Sequence, residues 1–364
     1  MVITGKAFIH GGSPNLIETA PSENENWMKS ITSWSTLASM NFALRYMIAG
    51  YKELRKQKFD VLHHIRPFAI GTTFNLLPFL PLAKGVPFVI GEFCSPYSSK
   101  VLKGEKAFSF SDVLSALVFW FLKPLLTYLS GMTLKRADAI LVTDGDTKAL
   151  LERQGISKEK IHVIPHGKNK DEYIFDPNKF NKQKIKILIA GHLIQRKRVD
   201  LAVRAFAKAC ETNPNLELQI VGDGLERAKL EELVSALNIE KRVQFTGAVP
   251  FKDMSDIFAR AHILLHCAKE EMFAHVYIEA LASGVIVIST NTIGARSILN
   301  SEIGIITSDD SAEISSTILS LADESKKSKL LVMAREARLY FEKNFDLESV
   351  ILPKVIQIYE KLSK

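Results

Sequence analysis

Short apolar runs alternate with amphipathic segments through residues 185–345, and few folds accommodate that alternation. The run Val285–Ser289 is apolar almost throughout, which is typical of a strand buried on both faces of a parallel sheet. Helices must then cover both faces, so the pattern predicts a doubly wound α/β fold. The predicted strands are 186–190, 216–221, 243–245, 263–266 and 285–289, and the predicted helices are 200–210, 226–237, 251–260, the one framed by Glu271 and Glu279, 311–323 and 325–343.

The first half of the chain shows the same alternation less clearly. Its predicted strands are 61–64, 88–91, 139–143 and 162–165, and its predicted helices are 30–57 and 146–153. No clear strand leading into a helix opens the sequence, so the first βα unit is predicted to be atypical or missing. A length of 364 residues favours two domains, and the Lys-, Asn- and Asp-rich stretch 168–183 is the predicted linker.

Two carboxylates frame the helix that precedes the run 285–289. Glu279 follows Glu271 by eight positions, a little over two helical turns. If the first acid lies in the loop and the second in the helix, both can face one ligand at different depths. Ligands of such sheets bind at the carboxyl ends of the strands, and carboxylates are strong acceptors for hydroxyl groups. The spacing therefore suits a polyhydroxyl ligand.

The surrounding residues carry a family resemblance. Glu271-Met-Phe273 and Glu279-Ala-Leu-Ala-Ser-Gly284 resemble the donor-binding signature of retaining GT-B glycosyltransferases of the GT4 type, also called group 1. The segments around Lys197, Gly222 and Gly247 extend the resemblance in the same order and spacing. It covers about residues 185–345 and is weaker before residue 160.

This resemblance implies two Rossmann-like doubly wound domains that face each other across a cleft. Residues 1–170 would form the acceptor-side domain, joined by a C-terminal helix at 346–364, and residues 171–345 the nucleotide-sugar donor domain. A nucleotide sugar would be the co-substrate, with no metal or other cofactor required. The acceptor would be a glycan, a polysaccharide or a lipid-linked molecule, and the anomeric configuration would be retained.

The resemblance also assigns residues. Lys197 matches the diphosphate lysine, Glu271 the acid that contacts the donor sugar, and Glu279 the acid that accepts the ribose hydroxyls; Lys197 and Glu271 are the catalytic candidates. His192 stands where the family usually has Arg, and Arg198 where it has a small residue, so either Arg196 or Arg198 supplies the missing cation or donor binding is weakened. The donor-binding candidates are Gly191, His192, Arg196, Lys197, Arg198, Gly247, Val249, Glu271, Phe273, Ala274, His275 and Glu279.

The acceptor-side candidates are fewer. His63 and His64 end a predicted strand, where adjacent side chains alternate between faces, so at most one points into the cleft. Many relatives have a histidine after the next strand; here that strand leads to Glu92, so the histidine is absent or replaced. Asp144-Gly-Asp146 imitates a metal-binding pair but precedes a helix, where a capping role is expected, and no metal site is predicted.

Charge and hydropathy bear on the partners. Residues 1–180 hold 22 Lys and Arg against 16 Asp and Glu, most of the net charge of +7. A basic first half predicts peripheral contact with anionic lipid or a phosphorylated acceptor, or simply a solvated surface; nothing indicates nucleic-acid binding. Residues 115–134 are interpreted as buried core helices, an interfacial membrane-docking element or a membrane span, with Lys123-Pro124 arguing against the span.

Three widely spaced cysteines without a C-x-x-C pair indicate neither a disulfide framework nor a zinc site. With no signal peptide recognised, a cytoplasmic location is expected, at the inner face of the membrane if the basic half docks there. Two alternatives to a glycosyltransferase remain open. One is a nucleotide-sugar epimerase of the same fold, and the other is a non-catalytic subunit that binds a nucleotide sugar.

Overall fold

The computed structural model describes residues 2–4, 17–18, 48, 50–56, 58–64, 74–93, 110–181 and 183–364, with the backbone alone at 2–4, 17–18, 92–93 and 110–120. The chain divides into two compact units. Met1–Ile164 and Lys354–Lys364 form the first unit, and Pro165–Pro353 form the second. The sequence-based boundaries lay after residues 170 and 345.

The second unit contains a six-stranded sheet in which every neighbouring pair is parallel. The strand order is β12-β11-β10-β7-β8-β9. All four residues of β10 and all five of β11 are buried, as their apolar sequences require. The strands are β7 (Ile185–Ala190), β8 (Leu216–Val221), β9 (Val243–Gly247), β10 (Ile263–His266), β11 (Ile286–Thr290) and β12 (Gly304–Thr307).

Helices cover both faces of this sheet. Along β7 the odd-numbered residues, such as Ile187, join a core with Phe206, whereas Leu188 joins a second core with Tyr277 and Phe341. This alternation follows from the period of two in a strand, and it confirms the doubly wound α/β prediction. The helices are α3 (Val199–Thr212), α4 (Arg227–Ala236), α5 (Met254–Arg260), α6 (His275–Ala282), α7 (Ile293–Ile298), α8 (Ser311–Leu321) and α9 (Lys327–Asn344), followed by a π-helical turn, Leu347–Ile351.

The first unit contains a second six-stranded parallel sheet, in the order β2-β1-β3-β4-β5-β6. Two of its strands, near the start of the chain, were not predicted from the sequence. One of them pairs with β3 directly, with Val2 opposite His63. The strands are β1 (Val2–Thr4), β2 (Ile17–Glu18), β3 (Leu62–His64), β4 (Phe88–Phe93), β5 (Ala139–Val142) and β6 (Ile161–Val163).

The described part of this unit also contains α1 (Phe110–Arg136), α2 (Gly145–Arg153) and α10 (Leu352–Leu362). Of the predicted helix 30–57, residues 48 and 50–56 are helical, and most of the rest lies outside the described residues. Asp144 caps α2, since its carboxylate accepts a hydrogen bond of 2.7 Å from the amide of Thr147, and the capping interpretation is therefore confirmed. Apolar residues of α10, among them Ile358, pack on a core that contains Val89.

Helix α1 includes the ambiguous stretch 115–134 and runs without a break through Pro124. Leu126 and Leu134 are buried, whereas Phe121 and Tyr128 are 81% and 65% exposed. None of the helices in the described residues has the length and apolar character needed to cross a bilayer.

Candidate functional site

The switch point of the second sheet lies between β7 and β10, because the chain leaves these adjacent strands in opposite directions across the sheet. Loops at the carboxyl ends of such a pair cannot cover each other and leave a crevice, which is where ligands of open α/β sheets bind. The loop after β7 carries residues 191–198, and the loop after β10 carries residues 267–274. Most of the donor-binding candidates lie in these two loops.

Lys197 joins the two loops. It ends a single 3-10 turn, Gln195–Lys197, and its ammonium group donates a short hydrogen bond to the carboxylate of Glu271. The same ammonium lies 3.3 Å from Nε2 of His266, the last residue of β10. The structure therefore brings together the two residues that the resemblance named as catalytic and adds a histidine to them.

A chain of hydrogen bonds fixes that histidine from behind. Ser289 Oγ donates to the carbonyl of Thr290 at 2.8 Å, so it must accept the bond of 2.6 Å from the hydroxyl of Tyr277. The Tyr277 oxygen must then accept the bond of 2.8 Å from Nδ1 of His266. We assign His266 on this basis to the tautomer with its proton on Nδ1, which leaves Nε2 to accept from Lys197.

The charge state of His266 agrees with this assignment. Burial, and then the positive charges of Lys197 and Arg196, lower the pKa of His266 from its usual 6.5 to about 3. Burial also raises the pKa of the Tyr277 hydroxyl, which therefore keeps the proton that it donates. At neutral pH His266 is therefore neutral, beside the ion pair of Lys197 and Glu271.

Glu279 lies on α6 and is buried. Its Oε1 is 3.0 Å from Nζ of Lys168, which also lies 4.2 Å from the centre of the Phe251 ring. Burial and the nearby Glu279 carboxylate raise the pKa of the Tyr173 hydroxyl. The two acids that the spacing singled out thus have separate lysine partners.

The neighbouring arginines make other contacts. The guanidinium of Arg196 donates to the carbonyl of Glu270 at 2.8 Å, and that of Arg198 pairs with Asp309. Arg198 has φ +48°, a left-handed conformation that glycine adopts freely and that other residues adopt rarely. His192 is exposed beside Gly191.

Three glycines shape the floor of the crevice at the ends of β7, β8 and β9. Gly191 has φ +140° and Gly247 φ +78°, both in the region that glycine adopts at little cost. The Gly222 amide donates to the Gly247 carbonyl at 2.8 Å, and a Cβ on Gly222 would lie 1.9 Å from the Gly191 oxygen. The positive φ explains glycine at positions 191 and 247, and the close approach of the Gly191 backbone explains it at position 222.

The remaining donor-side candidates surround the start of α6. Ala274 is buried and precedes the helix, and His275 is its exposed first residue. The rings of Phe273 and His275 lie 4.6 and 4.4 Å from that of His166. Val249 packs against the core beneath α6.

The acceptor-side candidates lie in the first unit. His63 and His64 are both buried. Nδ1 of His63 hydrogen bonds with the Tyr359 hydroxyl of α10, and Nδ1 of His64 is 3.2 Å from the side-chain nitrogen Nδ2 of Asn75. Burial, with a smaller effect of His64, lowers the pKa of His63 to about 3. Glu92 belongs to β4, but its side chain lies outside the described residues.

Sequence reasoning missed His266, Tyr277 and Lys168. A polar residue that ends the otherwise apolar strand β10 was a usable signal for His266. Lys168 had none, because it contacts Glu279 across 111 positions of sequence. In the part of the chain that the structure describes, no three His, Cys, Asp or Glu side chains are grouped so as to hold a metal ion.

Two family models match the chain. The model described as Glycosyl transferases group 1 matches residues 170–338, and the model described as Glycosyltransferase Family 4 matches residues 18–172. The two matches adjoin near residue 170 and together extend from residue 18 to residue 338.

Among curated relatives, the chain is similar to the phosphatidylinositol N-acetylglucosaminyltransferase gpi3 subunit of Schizosaccharomyces pombe, with 30% identity over 149 residues, 41% of this chain and 33% of that protein. It is also similar to the corresponding GPI3 subunit of Saccharomyces cerevisiae (strain YJM789), with 26% identity over 181 residues, 48% of this chain and 40% of that protein. The matched part thus spans one third to two fifths of these relatives.

Solved structures resemble nearly the whole chain. HepE of Anabaena in complex with UDP has a TM-score of 0.61 and 18% identity, covering 96% of this chain and 85% of that one. WaaG, a glycosyltransferase involved in lipopolysaccharide biosynthesis, has a TM-score of 0.60 and 20% identity, covering 96% and 88%. At these identities the likeness establishes the fold alone.

Proposed function

Because the chain belongs to the GT4-type glycosyltransferases of the GT-B fold, we propose that it is a retaining hexosyltransferase that uses a nucleotide sugar. The observation that carries the proposal is the contact of Lys197 with Glu271 at the switch point of the second sheet. An ammonium group there can bind a diphosphate, and a carboxylate beside it can accept hydroxyls of the sugar.

In the proposed reaction, the bond between the anomeric carbon and the phosphate oxygen breaks as the acceptor oxygen bonds to that carbon from the same face. The acceptor proton passes to the departing phosphate. Lys197, held by Glu271 and His266, stabilises the negative charge that develops on the diphosphate. Glu279 accepts the ribose hydroxyls, and amides at the start of α6 contact the phosphate oxygens.

For the substrates, we propose a UDP-sugar donor and a lipid-linked or glycan acceptor. HepE was solved with UDP and with UDP-glucose, which supports uridine as the base to test first. The relatives named phosphatidylinositol N-acetylglucosaminyltransferase suggest N-acetylglucosamine and an inositol phospholipid. The basic first half suits an anionic membrane surface, so we propose that the protein binds peripherally to the cytoplasmic face of a membrane. We also propose that the reaction requires no metal ion.

The first test is binding. UDP- and GDP-sugars are added to the protein, and a donor at about 100 times its Kd should raise the free energy of unfolding by about 2.7 kcal/mol. Lys197→Met should weaken that donor at least about tenfold, because one charge-assisted contact is lost. Lys184→Met is the matched control, since Lys184 pairs with Glu217 at the opposite end of β7. If no nucleotide stabilises the wild type, the proposal is wrong.

A non-catalytic binding protein is the second candidate, because the relatives in question are named as subunits of a transferase. Turnover separates the two functions. Transfer of labelled N-acetylglucosamine from the UDP-sugar to phosphatidylinositol in vesicles would establish the enzyme. Donor binding without transfer to any of a panel of lipid and glycan acceptors would favour the binding role, and a requirement for a partner chain would then be tested.

A further inference from the structure

Residues 165–168, here called the junction segment, run along helix α6. The ring of His166 contacts Phe273 and His275 at the start of the helix, with ring centres 4.6 and 4.4 Å apart. Two residues later, Lys168 reaches Glu279 at 3.0 Å. The junction segment therefore touches both the beginning and the middle of the helix that carries the proposed donor contacts.

The backbone of the junction segment is held in place. The Lys168 amide donates to the Phe345 carbonyl at 3.0 Å, and the Lys168 carbonyl accepts from the amide of Leu347 at 2.9 Å. A Cβ on Gly167 would lie 2.8 Å from Cγ1 of Ile351, so a side chain there would push the two segments apart. The Cα of Lys168 thus has a defined position, and its contact with Glu279 is a built feature of the fold.

The Glu279 carboxylate and the Lys168 ammonium group stabilise each other. Glu279 is 8% exposed, and a carboxylate so buried is costly unless it is paired. The Lys168 ammonium provides the pairing and is itself placed over the Phe251 ring at 4.2 Å, a favourable cation–π distance. Phe251 follows the segment from Gly247 to Pro250 in sequence, and that segment holds two further donor-binding candidates, Gly247 and Val249.

We propose that Lys168 is a positioning residue of the donor site, which holds one oxygen of Glu279 so that the other receives the ribose hydroxyls of the nucleotide. A carboxylate has about four acceptor positions, so the Lys168 contact and the hydrogen bond with the Tyr173 side chain leave acceptor capacity for a diol. Without the ammonium, the Tyr173 hydroxyl would be the remaining partner of the carboxylate, which would turn toward that hydroxyl or toward water and lose its direction toward the ribose. The inference rests on the proposed function, because it requires a nucleotide at Glu279.

Calorimetric binding of two probes tests the ribose role. UDP has both ribose hydroxyls, and 2′,3′-dideoxyuridine 5′-diphosphate has neither. Lys168→Met should weaken UDP about tenfold, the equivalent of one hydrogen bond to a charged group, and leave the dideoxy compound nearly unchanged. Lys168→Arg should restore most of the UDP affinity. The control is Lys252→Met, at the exposed residue that follows Phe251, and it should change the affinity for neither probe. Equal weakening of both probes, or tighter UDP binding by Lys168→Met, would overturn the proposal.

A measurement without ligand separates this inference from the proposed function. Lys168→Met should lower the melting temperature more in the wild type than in Glu279→Gln, because only the wild type then has a buried carboxylate that has lost its cationic partner. Equal effects in the two backgrounds would refute the pairing itself. If Lys168→Met has unequal effects in the two backgrounds but the wild type binds no UDP, the pairing of Lys168 with Glu279 would stand. The proposed nucleotide site, and the ribose role with it, would be refuted.

Discussion

The hydroxyl group of Tyr277 offers the sharpest test of how the site is built. Its side chain is fully buried and makes hydrogen bonds of 2.8 Å to His266 and 2.6 Å to Ser289. Tyr277→Phe removes only the oxygen, so the ring keeps its packing and no large cavity forms. Any loss of stability then measures the hydrogen-bond chain behind Lys197.

The expected magnitude follows from what each partner retains. Ser289 still donates to Thr290, so its loss is that of one accepted bond, about 1 kcal/mol. Nδ1–H of His266 is buried and keeps no acceptor among the described residues, which costs about 1–3 kcal/mol. We expect Tyr277→Phe to lower the free energy of unfolding by about 2–4 kcal/mol.

Urea unfolding of the protein, with hydrogen exchange of the core amides of the second unit, measures this loss. Tyr340→Phe is the control, because Tyr340 is only half-buried on α9, and such a change is usually within about 0.5 kcal/mol. Imidazole ¹⁵N NMR of the wild type should show His266 neutral with its proton on Nδ1. A loss no larger than the control, or a proton on Nε2, would refute the assigned direction of the hydrogen-bond chain.

Two further predictions concern the backbone and a buried charge. Gly222→Ala should abolish soluble folding or nucleotide binding, because Gly222 has φ +131° and its Cβ would lie 1.9 Å from the Gly191 oxygen. The control is Gly131→Ala in α1, whose Cβ would have no described atom within 4 Å. That change should raise the stability in thermal unfolding by about 0.5–1 kcal/mol. Burial lowers the pKa of Lys179 from 10.5 to about 7 against the opposing charge of Asp176. The unfolded chain therefore binds more protons between these values, so stability should rise with pH across that window, and Lys179→Met should flatten the rise in urea unfolding; an unchanged slope would contradict the shift.

Much of the second unit could be predicted from sequence because its signals are local. The apolar runs that became β7, β10 and β11 are buried because they are apolar, and the period of two divides their apolar side chains between two cores. The first unit was harder. Strands β1 and β2 have three and two residues, too few for any periodicity to be recognised, and they are defined by pairing with β3 and with each other.

The sequence by itself determined the α/β class and, through the family resemblance, predicted donor-site roles for Lys197, Glu271 and Glu279, because these signals lie within short segments. Only the tertiary structure decided which groups these residues meet. Parallel strands place distant loops side by side, so Lys197 meets His266, and the junction segment carries Lys168 to Glu279. Such contacts depend on strand order and on where distant backbone segments meet. The residues that make the contacts show no sequence pattern from which they could be predicted.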